Sequence, residues 1–540
     1  MTDVAKIQKL ALPALILITP FLLFLNYNSY CLACAETGLA LGGIVLVAVI
    51  CSVVLLVGSG IASALVMSAL ITGFIDAQFS THLRGWVLEW LTFLFFTAMQ
   101  SFVLCFFLKE KFYTIATAVF STFFAVTVFQ LALSSDKSDS FFGHRPEPAV
   151  GDPPRIIHLI LDEHIGIEGI PTDIEGGLET KNLITNFYLK NGFQLFGGAF
   201  SRYHLTHASM GSMLNFTPES TKLITGKGPY TLLRNRYFDL LSKRRYTVEV
   251  LSQGWLDYCS RFKVIVTRCV QKDWSRLGHF SNLGLPTSEK LQVLYTRYLN
   301  QSTIAAVIMA VFVGPLKPNY SASMHHLLWA LDRERTRTDS LNTLMDLKLL
   351  WKDISSLPRG RALFAHLMFP HYPYVTLPDC SVRPPKQWER NGIFDNPSNT
   401  VVSRKQRYQQ YFEQLQCVYG KSGELFDRMR AAGTFDNSII LLHGDHGSRI
   451  LMTPPTPANQ QTITERDLAD GFSSLFAMKL PGKPATYDTS PWPLEQLLAK
   501  FVFEAGLTPD RRLPEKTEPF VYLTSIGGTR SVRVPYVPSH

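Results

Sequence analysis

At 540 residues the chain is too long for one ordinary domain, so at least two are expected. Apolar residues make up 46% and charged residues only 18%, which points to lipid-embedded and water-facing parts in one chain. The net charge of +9 comes from scattered Lys and Arg with no basic run interleaved with aromatics, which argues against a nucleic-acid partner and leaves anionic lipid or a phosphorylated substrate.

Charges are few between positions 10 and 134, where five apolar stretches stand at about 10–25, 38–57, 61–75, 86–108 and 112–133. Most approach the ~20 residues that a helix needs to cross the hydrocarbon core. The third is the shortest, and reads as a re-entrant segment or as a span extending into its flanks. A buried helical core would instead show amphipathic faces with charged stripes, and none is visible. Cys34 follows Leu32-Ala33 in a faint likeness to a lipoprotein cleavage site, but Cys31 stands where such sites carry Leu, so no cleavage is expected.

Lys6 and Lys9 precede the first stretch, and Lys109-Glu110-Lys111 joins the fourth to the fifth, whereas the loop 26–37 carries only Glu36. The positive-inside rule then puts the N-terminus in the cytoplasm, with Arg84 in minor disagreement. An odd number of spans delivers everything after about Ser135 to the opposite side. Of the eight cysteines, Cys31, Cys34, Cys51 and Cys105 lie in or beside the apolar part, and Cys259, Cys269, Cys380 and Cys417 lie beyond it. The second set suggests two disulfides, with Cys259–Cys269 and Cys380–Cys417 as one of the possible pairings; the sequence does not choose among them.

Residues 135–154, rich in Ser, Asp, Gly and Pro, read as a linker between a transmembrane domain over 1–134 and a second domain over 155–540. The run 155–161 is apolar and β-prone, as in a strand buried on both faces. Similar runs recur at 246–251, 362–368 and 438–442, with helical stretches at 339–354 and 407–432 among them. This alternation predicts an α/β domain with a largely parallel central sheet. The apolar segment 303–313 is too short to span, and reads as a buried helix or as one lying on a membrane surface.

Ligands of open α/β sheets gather at the carboxyl ends of the strands. The first strand here runs into Asp162-Glu163-His164; the third carries His366 and then Pro370-His371-Tyr372-Pro373; the fourth delivers His443-Gly444-Asp445-His446-Gly447. Carboxylates and imidazoles at three strand ends suit a divalent metal, with Zn²⁺ or Mn²⁺ favoured by the mixed donor set and Mg²⁺ or Ca²⁺ as alternatives. His158 points along a buried strand and reads as core.

Asp445-His446-Gly447 after a run of Ile and Leu resembles the Asp-His-Gly motif of the alkaline phosphatase–sulfatase superfamily, whose Asp and His ligate metal. Asp162-Glu163 is similar to the paired acids that end the first strand of sulfatases. His366 and His371 resemble a pair of His in phosphoethanolamine transferases, and His371-Tyr372-Pro373 is similar to an element of lipoteichoic acid synthases. The layout of five spans followed by one extracytoplasmic domain matches both groups. The resemblance implies an alkaline phosphatase-like fold, with metal held by Asp162, Glu163, Thr206, Asp445 and His446.

It also implies a catalytic set of Thr206, His371 and His366. Thr206-His207-Ala208-Ser209-Met210 stands where sulfatases carry Cys-x-Pro-Ser-Arg. Threonine cannot be processed to the sulfatase nucleophile, so a hydroxyl attacking phosphorus is expected. Ser209 is the alternative nucleophile, and the plainer role for Thr206 is a helix cap; His204 and His207 flank it. Arg449 reads as a phosphate clamp or, more simply, as a surface charge. Gln416-Cys417-Val418 departs from the acid often found before the last catalytic strand, and one tightly held metal is expected.

The function implied is transfer of a phospholipid headgroup, phosphoethanolamine or glycerol phosphate, from phosphatidylethanolamine or phosphatidylglycerol to an envelope lipid or glycan. The expected location is a bacterial cytoplasmic (inner) membrane, multi-pass, with the catalytic domain in the periplasm or outside the cell. The alternatives are a membrane-anchored phosphodiesterase or sulfatase-like hydrolase, and a non-catalytic protein that binds envelope glycan. Acceptor specificity would lie in loops such as 226–230 and 270–335.

Overall fold

The computed structural model describes residues 3–79, 87–133, 140–143, 145, 151–220, 222–226, 229–299, 301–302, 337–389, 400–508, 517–525 and 530–536. The chain divides into two compact units: 1–137 with 276–337 and 384–387, and 138–275 with 338–383 and 388–540. The first unit takes back a stretch from the middle of the chain, which local composition does not reveal.

The N-terminal part of the first unit contains, among the described residues, the long helices α1 (Asp3–Tyr27), α2 (Ala35–Val57), α3 (Gly60–Phe79), α4 (Val87–Leu108) and α5 (Glu110–Leu133). All five are long and apolar enough to cross a membrane. Leu46, Ile50, Phe95, Phe107 and Phe129 stand exposed on them. In water each such side chain forgoes roughly 1.5–3 kcal/mol of burial, a cost that hydrocarbon surroundings remove. The short third stretch becomes a helix of 20 residues. It can run on because the Asp76 carboxylate is buried and accepts a hydrogen bond from Trp90 Nε1 at 2.9 Å. The returning stretch joins this unit through Leu277 N, which donates to Asn28 Oδ1 at 3.2 Å, and through Tyr298, edge-on to Phe21 at 5.2 Å. The apolar segment 303–313 lies outside the described residues.

In the second unit an eight-stranded sheet is made of β1 (Ile156–Leu161), β2 (Gln194–Phe196), β3 (Thr247–Gln253), β4 (Val266–Lys272), β5 (Arg361–Leu367), β6 (Ile439–His443), β7 (Phe476–Lys479) and β8 (Thr486–Asp488). Its order is β8-β2-β7-β6-β1-β5-β3-β4. Only the pairings β6–β7 and β7–β2 are antiparallel, so the expected largely parallel α/β sheet is what forms. Helices α6 (Gly177–Lys190), α7 (Thr206–Leu214), α8 (Arg236–Lys243), α10 (Asp339–Ser355), α11 (Val401–Ala431) and α12 (Glu465–Phe472) belong to this unit, while α9 (Thr287–Leu299) belongs to the first.

Every residue of β1 and β6 is buried, because both faces of the sheet are covered. On one face Ile157 and Leu159 join Leu347 of α10 and Tyr411 and Leu415 of α11. On the other, Ile156 and Ile160 join Met210 of α7 and Phe238 of α8. The period of two along β1 therefore feeds two cores. Helix α11 begins at Val401, earlier than hydrophobic periodicity shows. There Thr400 Oγ1 accepts from Ser403 N at 3.2 Å while Ser403 Oγ accepts from Thr400 N at 3.0 Å, a reciprocal cap that starts the helix. It stops at Gly433, whose φ of +64° is the left-handed turn that glycine adopts without strain.

Three disulfides are present: Cys31–Cys34, Cys259–Cys269 and Cys380–Cys417. The last two are among the pairings left open above. The first joins cysteines flanking the turn between α1 and α2, a proximity that a hydropathy reading cannot see.

Candidate metal centre

Strand β1 lies between β5 and β6 in parallel register, so Ile160 stands beside both His366 and His443. The residues just beyond that line come together: Asp162 past β1 and Asp445 past β6. One ligand atom from each of Asp162, His366 and Asp445 lies within 4.8 Å of the others, in a buried cluster able to hold a metal ion. Asp162 Oδ1, Asp445 Oδ2 and His366 Nε2 are buried without a hydrogen bond. Desolvated carboxylate oxygens are costly when nothing answers their charge, and a divalent cation is the group that answers two at once. The residues fit a metal, and the O and N donors suit Zn²⁺ or Mn²⁺.

His446 and Thr206 complete the ring. His446 Nε2 stands 3.0 Å from Asp445 Oδ2, 3.9 Å from Asp162 Oδ1 and 3.2 Å from Thr206 Oγ1. Four ligands held tetrahedrally at a Zn–N distance of about 2 Å would be roughly 3.3 Å apart. His446 Nδ1 bonds Gly447 O at 3.0 Å; a carbonyl only accepts, so Nδ1 carries a proton, and Nε2 is the nitrogen that faces the carboxylates. Burial opposes the charge on Asp445, but His446, and then His366, hold its carboxyl well below the usual range. Asp162 is also lowered: burial and Asp445 act against ionisation, and His371 and His366 outweigh them.

Thr206 is the first residue of α7, whose N-cap Leu205 makes no side-chain capping bond. Its hydroxyl is turned to His446 rather than to the helix, so it is no cap. The open first-turn N–H groups favour an anion there. Ser209 is engaged elsewhere, accepting from Ser201 Oγ at 2.7 Å and donating to Asp445 O. It holds the loop that carries Asp445.

Glu163 takes a different direction from Asp162. Its φ is +64°, and its carboxylate pairs with Arg449 Nε at 2.8 Å and accepts from Tyr372 N at 3.1 Å. Arg449 is 7% exposed, so it is a buried ion-pair partner and not a surface charge. Its Nη2 lies 3.3 Å from His371 Nε2, and His371 Nδ1 donates to Tyr372 O at 2.6 Å. Asp162, Thr206, His366, Asp445 and His446 thus form one cluster, and Glu163, Arg449 and His371 form a second beside it.

The remaining histidines divide clearly. His207 is stacked on Tyr230 at 3.8 Å, and burial followed by His446 lowers its pKa to about 4. His204 is buried, and that burial, then Arg449, keeps it neutral far below its ordinary value. His164 is core, tied to Ile165 O at 2.8 Å and Tyr419 Oη at 2.7 Å. His158 is core as expected, and its Nε2 meets His443 Nε2 at 2.7 Å beneath the site.

Some supporting residues carry no local signal. Gln414 on α11 accepts from Val375 N at 2.7 Å and donates to Pro370 O at 2.8 Å, fixing the segment that bears His371. Asp470 on α12 pairs with Arg404 at 2.8 Å, and its carbonyl accepts from Arg449 N at 2.7 Å. A Cβ on Gly447 would meet Asp470 O at 2.3 Å, which explains that glycine in the His-Gly-Asp-His-Gly run. Nothing in the sequence near Gln414 or Asp470 distinguishes them from ordinary helix-surface polar residues.

No protein-family model and no curated protein matches the sequence. Solved structures do. The chain is similar to a protein in the alkaline phosphatase superfamily from Vibrio parahaemolyticus, at 10% identity over 69% of this chain and 71% of that one, TM-score 0.35. It is similar to the C-terminal periplasmic domain of EcEptC from Escherichia coli in complex with Zn, at 12% identity over 74% of this chain and 96% of that one, TM-score 0.41. A third is the phosphonate monoester hydrolase of Agrobacterium radiobacter, 10% identical over 68% and 79%, TM-score 0.42.

Proposed function

We propose that this protein transfers a phospholipid-derived headgroup, phosphoethanolamine or glycerol phosphate, to an envelope lipid or glycan through a phosphothreonine at Thr206. The observation that carries the reading is Thr206 Oγ1 at the start of α7, 3.2 Å from His446 Nε2 and beside the paired carboxylates of Asp162 and Asp445. Asp162, Asp445, His446 and Thr206 would hold the metal, while the Glu163 carboxylate is taken up by Arg449. A bound divalent cation lowers the pKa of a coordinated hydroxyl and offsets charge on phosphate oxygens.

Thr206 Oγ1 gives up its proton and attacks the donor phosphorus, the bond from phosphorus to the diacylglycerol oxygen breaks, and that oxygen takes up a proton. The acceptor hydroxyl then gives up its proton and attacks the same phosphorus, the bond from phosphorus to Thr206 Oγ1 breaks, and Oγ1 is reprotonated. His366 and His371 hold phosphate oxygens or move these protons. The open N–H groups of α7 add favourable charge where the phosphoryl group sits.

In this reading residues 1–134, joined by 276–302, anchor the protein in a bacterial inner membrane, 135–154 link, and the rest of 155–540 works on the periplasmic side, where disulfides persist. Phosphatidylethanolamine or phosphatidylglycerol in the same bilayer is then presented at high effective concentration. The test is peptide mass spectrometry of the protein and of Thr206→Ala after incubation with vesicles of each lipid. Headgroup mass on the Thr206 peptide, absent in the variant, supports the reading and names the headgroup. No adduct in the metal-loaded wild type sinks it.

A further inference from the structure

Five histidines around the centre differ in what their Nδ1 atoms meet. His164, His371, His443 and His446 each direct Nδ1 at the carbonyl of the following residue, at 2.8, 2.6, 2.6 and 3.0 Å. A carbonyl only accepts, so Nδ1 is the protonated nitrogen in each of the four. His366 is the exception. Its Nδ1 meets a hydroxyl, Tyr258 Oη, at 2.9 Å.

A hydroxyl can donate, and this one is placed to do so. Tyr258 is fully buried, and His366 is the only hydrogen-bond partner of its Oη among the described residues. If His366 Nδ1 were the donor, the tyrosine proton would be left buried with no acceptor. If Tyr258 donates, its hydroxyl and His366 Nδ1 are both satisfied, and the proton of the neutral imidazole sits on Nε2. That atom lies 3.3 Å from Asp162 Oδ2 and has no aligned hydrogen bond, so its N–H is open to a ligand.

The segment that carries Tyr258 is held unusually firmly. Asp257 Oδ1 accepts from Cys259 N at 2.8 Å and from Ser260 N at 3.0 Å, and the next residue, Cys259, is cross-linked to Cys269 on β4. The Tyr258 ring packs against Phe364 on β5 with centroids 5.0 Å apart.

We infer that Tyr258 is a positioning residue that holds His366 as the Nε2–H tautomer, so that His366 serves as a hydrogen-bond donor to a phosphoryl oxygen and not as a metal ligand. Asp162, Asp445, His446 and Thr206 are then the donors left for the cation. The identity of the oxygen rests on the phosphotransfer reading; the tautomer does not.

The experiment takes the full chain in detergent micelles with ¹⁵N-labelled histidine, the His366 signals being identified by their loss in His366→Gln. A protonated Nε2 and a bare Nδ1 in the wild type, scrambled in Tyr258→Phe, are expected; a protonated Nδ1 in the wild type overturns the inference. Zn²⁺ affinity is measured by competition with a chromophoric chelator. It is expected to stay within about twofold in Tyr258→Phe and His366→Gln, whereas a true ligand and its support would cost about 10–100-fold or more. With bis(p-nitrophenyl) phosphate, Tyr258→Phe is expected to lower kcat about tenfold or more at nearly constant KM. His366→Gln, which keeps an N–H donor, should retain more activity than His366→Ala. A large loss of Zn²⁺ affinity in either variant, or no change in Tyr258→Phe by any readout, overturns the inference. If Tyr258→Phe fails to fold, the wild-type resonances and His366→Gln decide it. If the wild type turns over no ester, the phosphotransfer reading fails while the resonances still decide the tautomer.

Discussion

In the helical unit the buried acid Asp76 accepts from Trp90 Nε1 at 2.9 Å, and buried Glu36 accepts from Tyr30 Oη at 3.0 Å. At the carboxyl edge of the sheet, by contrast, Asp162 Oδ1 and Asp445 Oδ2 are buried with no hydrogen bond. Both units bury carboxylates, yet among the described residues the second is where bare ligand-type oxygens stand side by side. Groups paired internally serve the fold; groups that share a pocket and face each other require something from outside the chain. The same contrast runs within the site, since Glu163 is paired with Arg449 while its neighbour Asp162 joins the cluster.

The largest effect that sharpens this contrast is expected at Thr206. Thr206→Ala should lower phosphodiester turnover by about 10⁴-fold and leave the fold intact, because it removes one oxygen that is both the attacking group and a donor to the cation. Retention of more than about a tenth of wild-type turnover in a steady-state assay would assign the attack to another group.

Next comes Glu163→Gln, which strips the charge from the buried partner of Arg449. A loss of about 3–5 kcal/mol in denaturant unfolding is expected, and Arg449→Met should be no better. If Glu163→Gln instead mainly weakened metal binding, Glu163 would belong with Asp162 and the distinction drawn here would fall.

Metal itself should act on one unit alone. Excess Zn²⁺ at about 100 times its dissociation constant should stabilise the wild type by about 2.7 kcal/mol in a thermal melt, and a chelator should remove that gain. Asp445→Asn should show little of it. An equal gain in the variant would place the ion elsewhere.

The smallest effect is expected in the helices. Asp76→Leu leaves Trp90 Nε1 without its acceptor, a loss averaging about 0.6 kcal/mol for hydrogen bonds between membrane helices. Metal affinity and turnover should not change. A large fall in either would show that Asp76 is more than a paired structural acid.

Much of this molecule was legible before any coordinates. The four strands read at 155–161, 246–251, 362–368 and 438–442 form at Ile156–Leu161, Thr247–Gln253, Arg361–Leu367 and Ile439–His443. They were visible because strands buried on both faces are written as unbroken apolar runs. Residues of the edge strand β4, which alternate in burial and include Arg268, Gln271 and Lys272, gave no such signal. Asp162, Asp445, His446 and Thr206 were legible as residue types in motifs. Gln414, Asp470 and Tyr258 were not, since each acts through hydrogen bonds to partners at least 21 positions away.

The sequence by itself determined the five apolar helices, the α/β alternation and the acid and imidazole residues at the strand ends. Each of these is encoded locally, in hydropathy, periodicity and chain order. Only the tertiary structure decided that Asp162 enters the cluster while Glu163 turns to Arg449. It also decided that 276–302 returns to the helices, that Cys31 pairs with Cys34, and that a tyrosine stands behind His366. Those outcomes depend on which strand lies beside which and on where one backbone dihedral turns a side chain, and neither is written in any short window of residues.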